Sequence, residues 1–128
     1  GAGTGATTDA IFGALGPNRL DYTFTDISSA FFASSPGEAR TALFDVEKHP
    51  ARQGFQAGSY DLILAANVLH ATISLDESLG HLKWLLAPGG ALVILEGEEE
   101  RLWVDLTFGL TDGWWRCADR EYPLLSGE

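Results

Sequence analysis

Two apolar runs, residues 62–66 and 91–95, set the tightest limit on how this chain can fold. Neither alternates apolar with polar positions, so each reads as a strand buried on both faces, as in a parallel sheet covered by helices. Parallel strands need a crossover, and the segment between the runs supplies one. Ser74 and Glu77 form a capping box, in which each side chain satisfies a free amide at the helix start. Leu75, Leu79, Leu82 and Leu86 then recur at helical spacing, and Pro88-Gly89-Gly90 is expected to stop the helix. The expected fold class is therefore α/β, a doubly wound, mostly parallel sheet. Ligands bind such sheets at the carboxyl ends of the strands. His70 lies just past the first run and Glu96 closes the second, so both side chains can face one cleft.

Residues 1–128 read as one domain, long enough for a real core. The 45% hydrophobic and 20% charged content excludes a disordered chain. No apolar run reaches membrane-spanning length, and a net charge of -10 argues against a nucleic-acid partner. The single cysteine, Cys117, cannot form an internal disulfide, so a cytoplasmic setting is expected. The sequence has no methionine and opens directly on a glycine loop, without the strand that normally precedes one. It is expected to be a piece of something larger, shortened at both ends.

Gly1, Gly3 and Gly5 let backbone amides approach a ligand, and a helix over residues 7–15 would favour a carboxylate or phosphate there. Gly16-Pro17-Asn18 ends that helix. The same glycine pattern fits dinucleotide binding. Residues 20–25 read as a strand. Asp26 ends it roughly 20 residues past the glycines, where an acidic side chain can accept ribose hydroxyls. The alternative is that Asp26 caps a helix over residues 27–34, a task Ser28 could also perform. Residues 41–44 form a short third strand. Asp45 and Val46 follow, suited to an exocyclic amine and to the face of a base, or simply to a solvated strand end. His49 and Arg52 are expected to be solvated. Glu98, Glu99 and Glu100 suit a helix start, residues 101–110 can be helical, and Trp114 and Trp115 suit either a core or the wall of an apolar channel.

The chemistry narrows by elimination. One cysteine and three scattered histidines form no zinc pattern, so no metal is expected. The Gly-Lys-Ser/Thr of a phosphate-loop NTPase and the Gly-x-Ser-x-Gly of a serine hydrolase are absent. What remains is a glycine loop, an acidic residue after the second strand and a His–Glu pair at neighbouring strand ends. A carboxylate that fixes the tautomer of an imidazole makes it a competent general base. Such a base could take a proton from a carbon beside a carbonyl, and the carbanion could accept a methyl group held in line. The alternative for His70 is a histidine that only satisfies backbone groups.

The ordered segments Gly1-Ala2-Gly3-Thr4-Gly5-Ala6, Tyr22-Thr23-Phe24-Thr25-Asp26-Ile27-Ser28, Phe44-Asp45-Val46-Glu47-Lys48, Asn67-Val68-Leu69-His70-Ala71-Thr72, Pro88-Gly89-Gly90 and Gly113-Trp114-Trp115 carry a resemblance over almost the whole chain. The sequence resembles the C-methyltransferase domains of polyketide synthases, which belong to the class I S-adenosylmethionine-dependent methyltransferases. The resemblance implies that Gly1, Gly3 and Gly5 cradle the methionine part of S-adenosylmethionine, that Asp26 holds the ribose and that Asp45 with Val46 holds the adenine. It places Asn67 on the methionine side and makes His70 and Glu96 the catalytic pair. His70 would deprotonate the α-carbon of a β-ketoacyl thioester. It further implies an acyl carrier protein with a phosphopantetheine-bound acyl chain as partner, other synthase domains in cis within a multifunctional enzyme, and Trp103, Trp114 and Trp115 beside the acyl channel. The family strand ahead of the glycine loop, its N-terminal lid region and its last strands have no counterpart here. Rival readings are a non-catalytic methyltransferase-like scaffold, a dinucleotide-dependent reductase and a small-molecule O- or N-methyltransferase.

Overall fold

The structure, a computed structural model, describes residues 1–16 and 20–96. The chain forms two compact units, Gly1–Asp45 and Val46–Glu128, and each contains its own parallel strand pair.

In the first unit the glycine loop leads into α1 (Ala6–Leu15), followed by β1 (Thr23–Asp26), a 3-10 turn (Ser29–Ser34) and β2 (Arg40–Leu43). Gly5 starts α1 with a left-handed φ of 85°, and Gly16 ends it with φ 78° while its amide donates to the Phe12 carbonyl. The expected helix and its glycine stop are both present. β1 and β2 run parallel, from Thr23 opposite Arg40 to Asp26 opposite Leu43. The first strand begins later than expected. Tyr22, just ahead of it, bonds through its hydroxyl to Thr8 Oγ1 at 3.0 Å and meets Phe12 edge-on at 5.1 Å. Phe24 is fully buried and Thr8 nearly so, whereas Phe12 and Tyr22 are half-buried. The helix expected over residues 27–34 is instead a 3-10 turn, and Ser28 caps it by accepting from the Ala30 amide at 3.2 Å.

The second unit contains a 3-10 turn (Pro50–Gln53), β3 (Tyr60–Ala66), another 3-10 turn (Leu69–Ala71), α2 (Leu75–Leu85) and β4 (Leu86–Leu95). β3 and β4 are parallel, with Leu62 opposite Ala91 and Ala66 opposite Leu95. α2 begins where the capping box required, with Ser74 Oγ accepting from the Glu77 amide at 3.3 Å. Its buried stripe is Leu75, Ser78, Leu82 and Leu85, and Ala65 and Leu69 join these leucines in the core.

Two features of this unit depart from expectation. α2 stops at Leu85, before Pro88-Gly89-Gly90, and Leu86 is already extended. The Pro-Gly-Gly stretch lies instead where β4 has extra residues against β3, between the Tyr60–Leu86 and Leu62–Ala91 pairs. Gly89 has φ 81°, and a Cβ on Gly90 would meet the Ala87 carbonyl oxygen at 2.9 Å and those of Asp61 and Tyr60 at 3.0 and 3.1 Å. Only glycine lets this bulge run so close to the neighbouring backbone.

The second departure concerns burial. Ile63, Ala65 and Leu92 on one face of the β3–β4 pair are buried or half-buried, although Ile94 on that face is 43% exposed, and Leu62, Val93 and Leu95 on the other face are 48%, 48% and 63% exposed. The two-sided burial inferred from the apolar runs is therefore met only in part, and mainly on one face, by the described residues of this unit. His49 is exposed, as expected, and its ring also accepts from the Ala51 amide at 3.3 Å and lies edge-on to His81 and Trp84 at 5.4 and 5.0 Å. No helix among the described residues is long and apolar enough to cross a membrane.

Candidate active site

The His–Glu pair forms at the carboxyl ends of β3 and β4. Asn67 continues the ladder through its amide, which donates to the Leu95 carbonyl at 2.8 Å, and then turns the chain with φ 53°. It is the one non-glycine residue with positive φ among the described residues, a conformation asparagine tolerates better than most residues. Beyond it the amides of Val68 and Leu69 both donate to Glu96 Oε1, at 2.9 and 2.8 Å. Glu96 thus satisfies the start of the 3-10 turn that carries His70. That turn brings the imidazole back to the second carboxylate oxygen, with Nδ1 2.7 Å from Oε2.

The pair is secluded, with side-chain exposures of 15% for His70 and 5% for Glu96. Burial pushes the Glu96 carboxyl up, and this is the largest single influence. The His70 bond and the two backbone amides together outweigh it, so the carboxyl lies below its ordinary value and Glu96 is ionised at neutral pH. An ionised carboxylate only accepts, so Nδ1 carries the proton and the lone pair of neutral His70 is on Nε2. This is the arrangement of a general base oriented by a carboxylate.

In the first unit the glycine loop is tied to β1. The Ala2 amide donates to the Thr25 carbonyl at 2.8 Å, and the Gly3 amide donates to Asp26 Oδ2 at 3.0 Å. The other Asp26 oxygen accepts from the Ser28 amide at 3.0 Å, and Asp26 is only 4% exposed. Asp26 therefore organises the loop and the turn after β1, while helix capping falls to Ser28. Gly5 has a second constraint besides its φ, because a Cβ there would lie 2.9 Å from the Ser34 carbonyl oxygen. Gly3 has φ 51° and no heavy atom within 4 Å of a would-be Cβ, so the crest of the loop is open.

Asp45 and Val46 are half-buried and lie in the chain just past β2. Trp103, Trp114 and Trp115, together with the acidic run Glu98, Glu99 and Glu100, lie outside the described residues. Sequence reasoning passed over two side chains that hold this region. His81 Nδ1 bonds to the Val46 carbonyl at 2.7 Å, and Glu47 Oε1 accepts from the Ile73 amide at 2.8 Å. Only His81 left a trace in the pattern, since it falls beside the apolar stripe of α2 between Ser78 and Leu85.

Parallel strand pairs, a glycine loop opening a helix and a His–Glu pair at strand ends make this an α/β protein, and its likeness to solved structures makes it one of the class I methyltransferase type. The chain belongs to the methyltransferase-domain family, whose family model matches residues 1–92, and its relatives are carbon-methyltransferase domains of polyketide synthases. It is 45% identical over 126 residues to the hybrid PKS-NRPS synthetase lepA of Aspergillus flavus, covering 93% of this chain and 3% of that protein. Among solved structures it is similar to the CurJ carbon methyltransferase, at 46% identity and a TM-score of 0.90 over 98% of this chain and 36% of that one. It is also similar to the trans-methyltransferase CalH, solved in complex with SAH, at 41% identity and a TM-score of 0.82, covering 90% of this chain and 35% of that one. The reductase reading left open by the glycine pattern gives way to the methyltransferase family.

Proposed function

We propose that this chain is the core of a polyketide synthase C-methyltransferase. It would methylate the α-carbon of a β-ketoacyl thioester carried on the phosphopantetheine arm of an acyl carrier protein, with other synthase domains in the same polypeptide. The observation that carries the reading is the His70–Glu96 pair, a secluded imidazole whose tautomer is set by an ionised carboxylate. Nε2 of His70 takes the α-proton, and the electron pair of the broken C–H bond spreads into the two flanking carbonyl groups as an enolate. Glu96, already carrying a full negative charge, stabilises the imidazolium that results. The proton later leaves His70 to solvent.

S-adenosylmethionine, when bound, supplies an electrophilic methyl group and departs as the neutral thioether S-adenosylhomocysteine. The residues present fit it. The open crest at Gly3 and the amides at the start of α1 suit the methionine carboxylate. Each Asp26 oxygen accepts one backbone amide and keeps a second lone pair for a ribose hydroxyl. Asp45 offers an acceptor for the adenine amine, Val46 an apolar contact, and Gly1, Gly5 and Asn67 complete the set. Trp103, Trp114 and Trp115 are assigned to the acyl channel. The likeness to CurJ, described as a carbon methyltransferase, supports carbon as the acceptor, and the SAH in the CalH complex supports the cofactor.

The test is calorimetric titration of S-adenosylhomocysteine into the full-length protein that carries this sequence. Saturable one-to-one binding is expected, and its absence from a folded sample would remove the cofactor reading.

A further inference from the structure

We infer that His81 and Glu47 are positioning residues that clamp the adenine-contacting segment onto α2 and the turn before it, an inference that rests on the cofactor reading above. Val46 and Glu47 lie in a turn outside either strand pair, so no sheet ladder fixes their backbone. Two side-chain bonds do so instead. The Val46 carbonyl accepts from His81 Nδ1 at 2.7 Å across 35 residues of sequence, and the Glu47 carboxylate accepts from the Ile73 amide at 2.8 Å across 26. A carbonyl can only accept, so Nδ1 of His81 carries its proton. The imidazole is held edge-on to His49 at 5.4 Å, and His49 is held edge-on to Trp84 at 5.0 Å. The donor therefore has little freedom to swing away. Ile73 immediately precedes the helix cap Ser74 and closely follows the turn that carries His70. The clamp thus joins the segment that would grip adenine to the segment that carries the base.

The experiment compares wild type, His81→Phe and His81→Asn in the full-length protein, with S-adenosylhomocysteine as the calorimetric probe. Phenylalanine keeps the ring and its edge-on contacts but deletes the donor. Asparagine places an amide N–H near the position of Nδ1. H81F should bind on the order of three- to tenfold more weakly, the loss expected for one hydrogen bond. H81N should recover affinity to within about twofold, since the donor rather than the ring is what matters. In turnover, H81F should raise KM for the cofactor and leave kcat at saturation unchanged. Equal binding by wild type and H81F, or failure of H81N to recover, overturns the clamp while the cofactor reading stands. No binding by folded wild type overturns both. Should H81F fail to fold, Glu47→Ala gives the second measurement, since it deletes the other anchor at a half-buried position. It should weaken binding in the same way, and native affinity would overturn the clamp.

Discussion

Replacing Glu96 by glutamine changes almost no atoms yet should disable the base. The carboxylate now accepts three bonds, two from the Val68 and Leu69 amides on Oε1 and one from His70 on Oε2. A glutamine has one acceptor oxygen. Facing the two amides, it keeps two bonds; turned toward His70, it keeps one and sets its NH2 group against two N–H donors. At about 1 kcal/mol per net hydrogen bond the first orientation wins. The NH2 group then faces Nδ1, which must accept, so the imidazole proton moves to Nε2 and the basic lone pair is lost from the position that served substrate. Loss of an oriented general base costs on the order of 10²–10⁴ in rate, or roughly 3–5 kcal/mol of barrier. The variant should remain folded and bind S-adenosylhomocysteine as wild type does. Single-turnover methylation of a carrier-bound β-ketoacyl thioester, followed by mass, measures the rate. Nitrogen NMR of His70 reports the tautomer. A native methylation rate, or a proton still on Nδ1, would refute the reasoning.

Other consequences are equally checkable. Gly5→Ala combines φ 85° with a backbone oxygen 2.9 Å from the new methyl, whereas Gly3→Ala meets φ 51° alone. Denaturation should show G5A losing roughly 1–3 kcal/mol and G3A less. Among the described residues the buried Ser78 hydroxyl has no hydrogen-bond partner. Ser78→Ala should therefore be neutral or stabilising by up to about 1 kcal/mol in urea unfolding, because it removes an unpaired polar group. Glu96 titrates below the ordinary value of 4.5, since the His70 and backbone bonds outweigh burial. It thus contributes stability that is present above that pH and lost as pH falls through the lowered folded value. The stability gap between wild type and Glu96→Gln should narrow with acidification through that window, and a gap that stays constant would count against the assignment.

How far the sequence alone disclosed this protein depends on the range over which each signal acts. Local signals transferred well: Gly16 ended α1, Ser74 capped α2, and the unbroken apolar runs paired as parallel strands. Strand-end position brought His70 and Glu96 together. The failures come from contacts that no local pattern encodes. The role of Pro88-Gly89-Gly90 depends on the Tyr60 and Asp61 carbonyls, which pack against Gly90 from the neighbouring strand. For Asp26, weighed between ribose and a helix cap, the bond to the Gly3 amide, far back in the chain, left no local trace. His49 is exposed as expected, but its ring contacts with His81 and Trp84, on a helix that follows much later, left no local trace. Glu96 Oε1 serves two amides near His70, a duty visible only once β3 and β4 are paired.

The central claim is that His70 removes a substrate proton in an S-adenosylmethionine-dependent C-methylation. The most direct measurement is the methylation rate of the full-length protein bearing His70→Ala, with S-adenosylhomocysteine affinity measured on the same sample. The account expects α-methylation to fall by at least about 10²-fold while affinity stays near that of wild type. Methylation at the wild-type rate with cofactor bound would contradict it and assign the proton to another group.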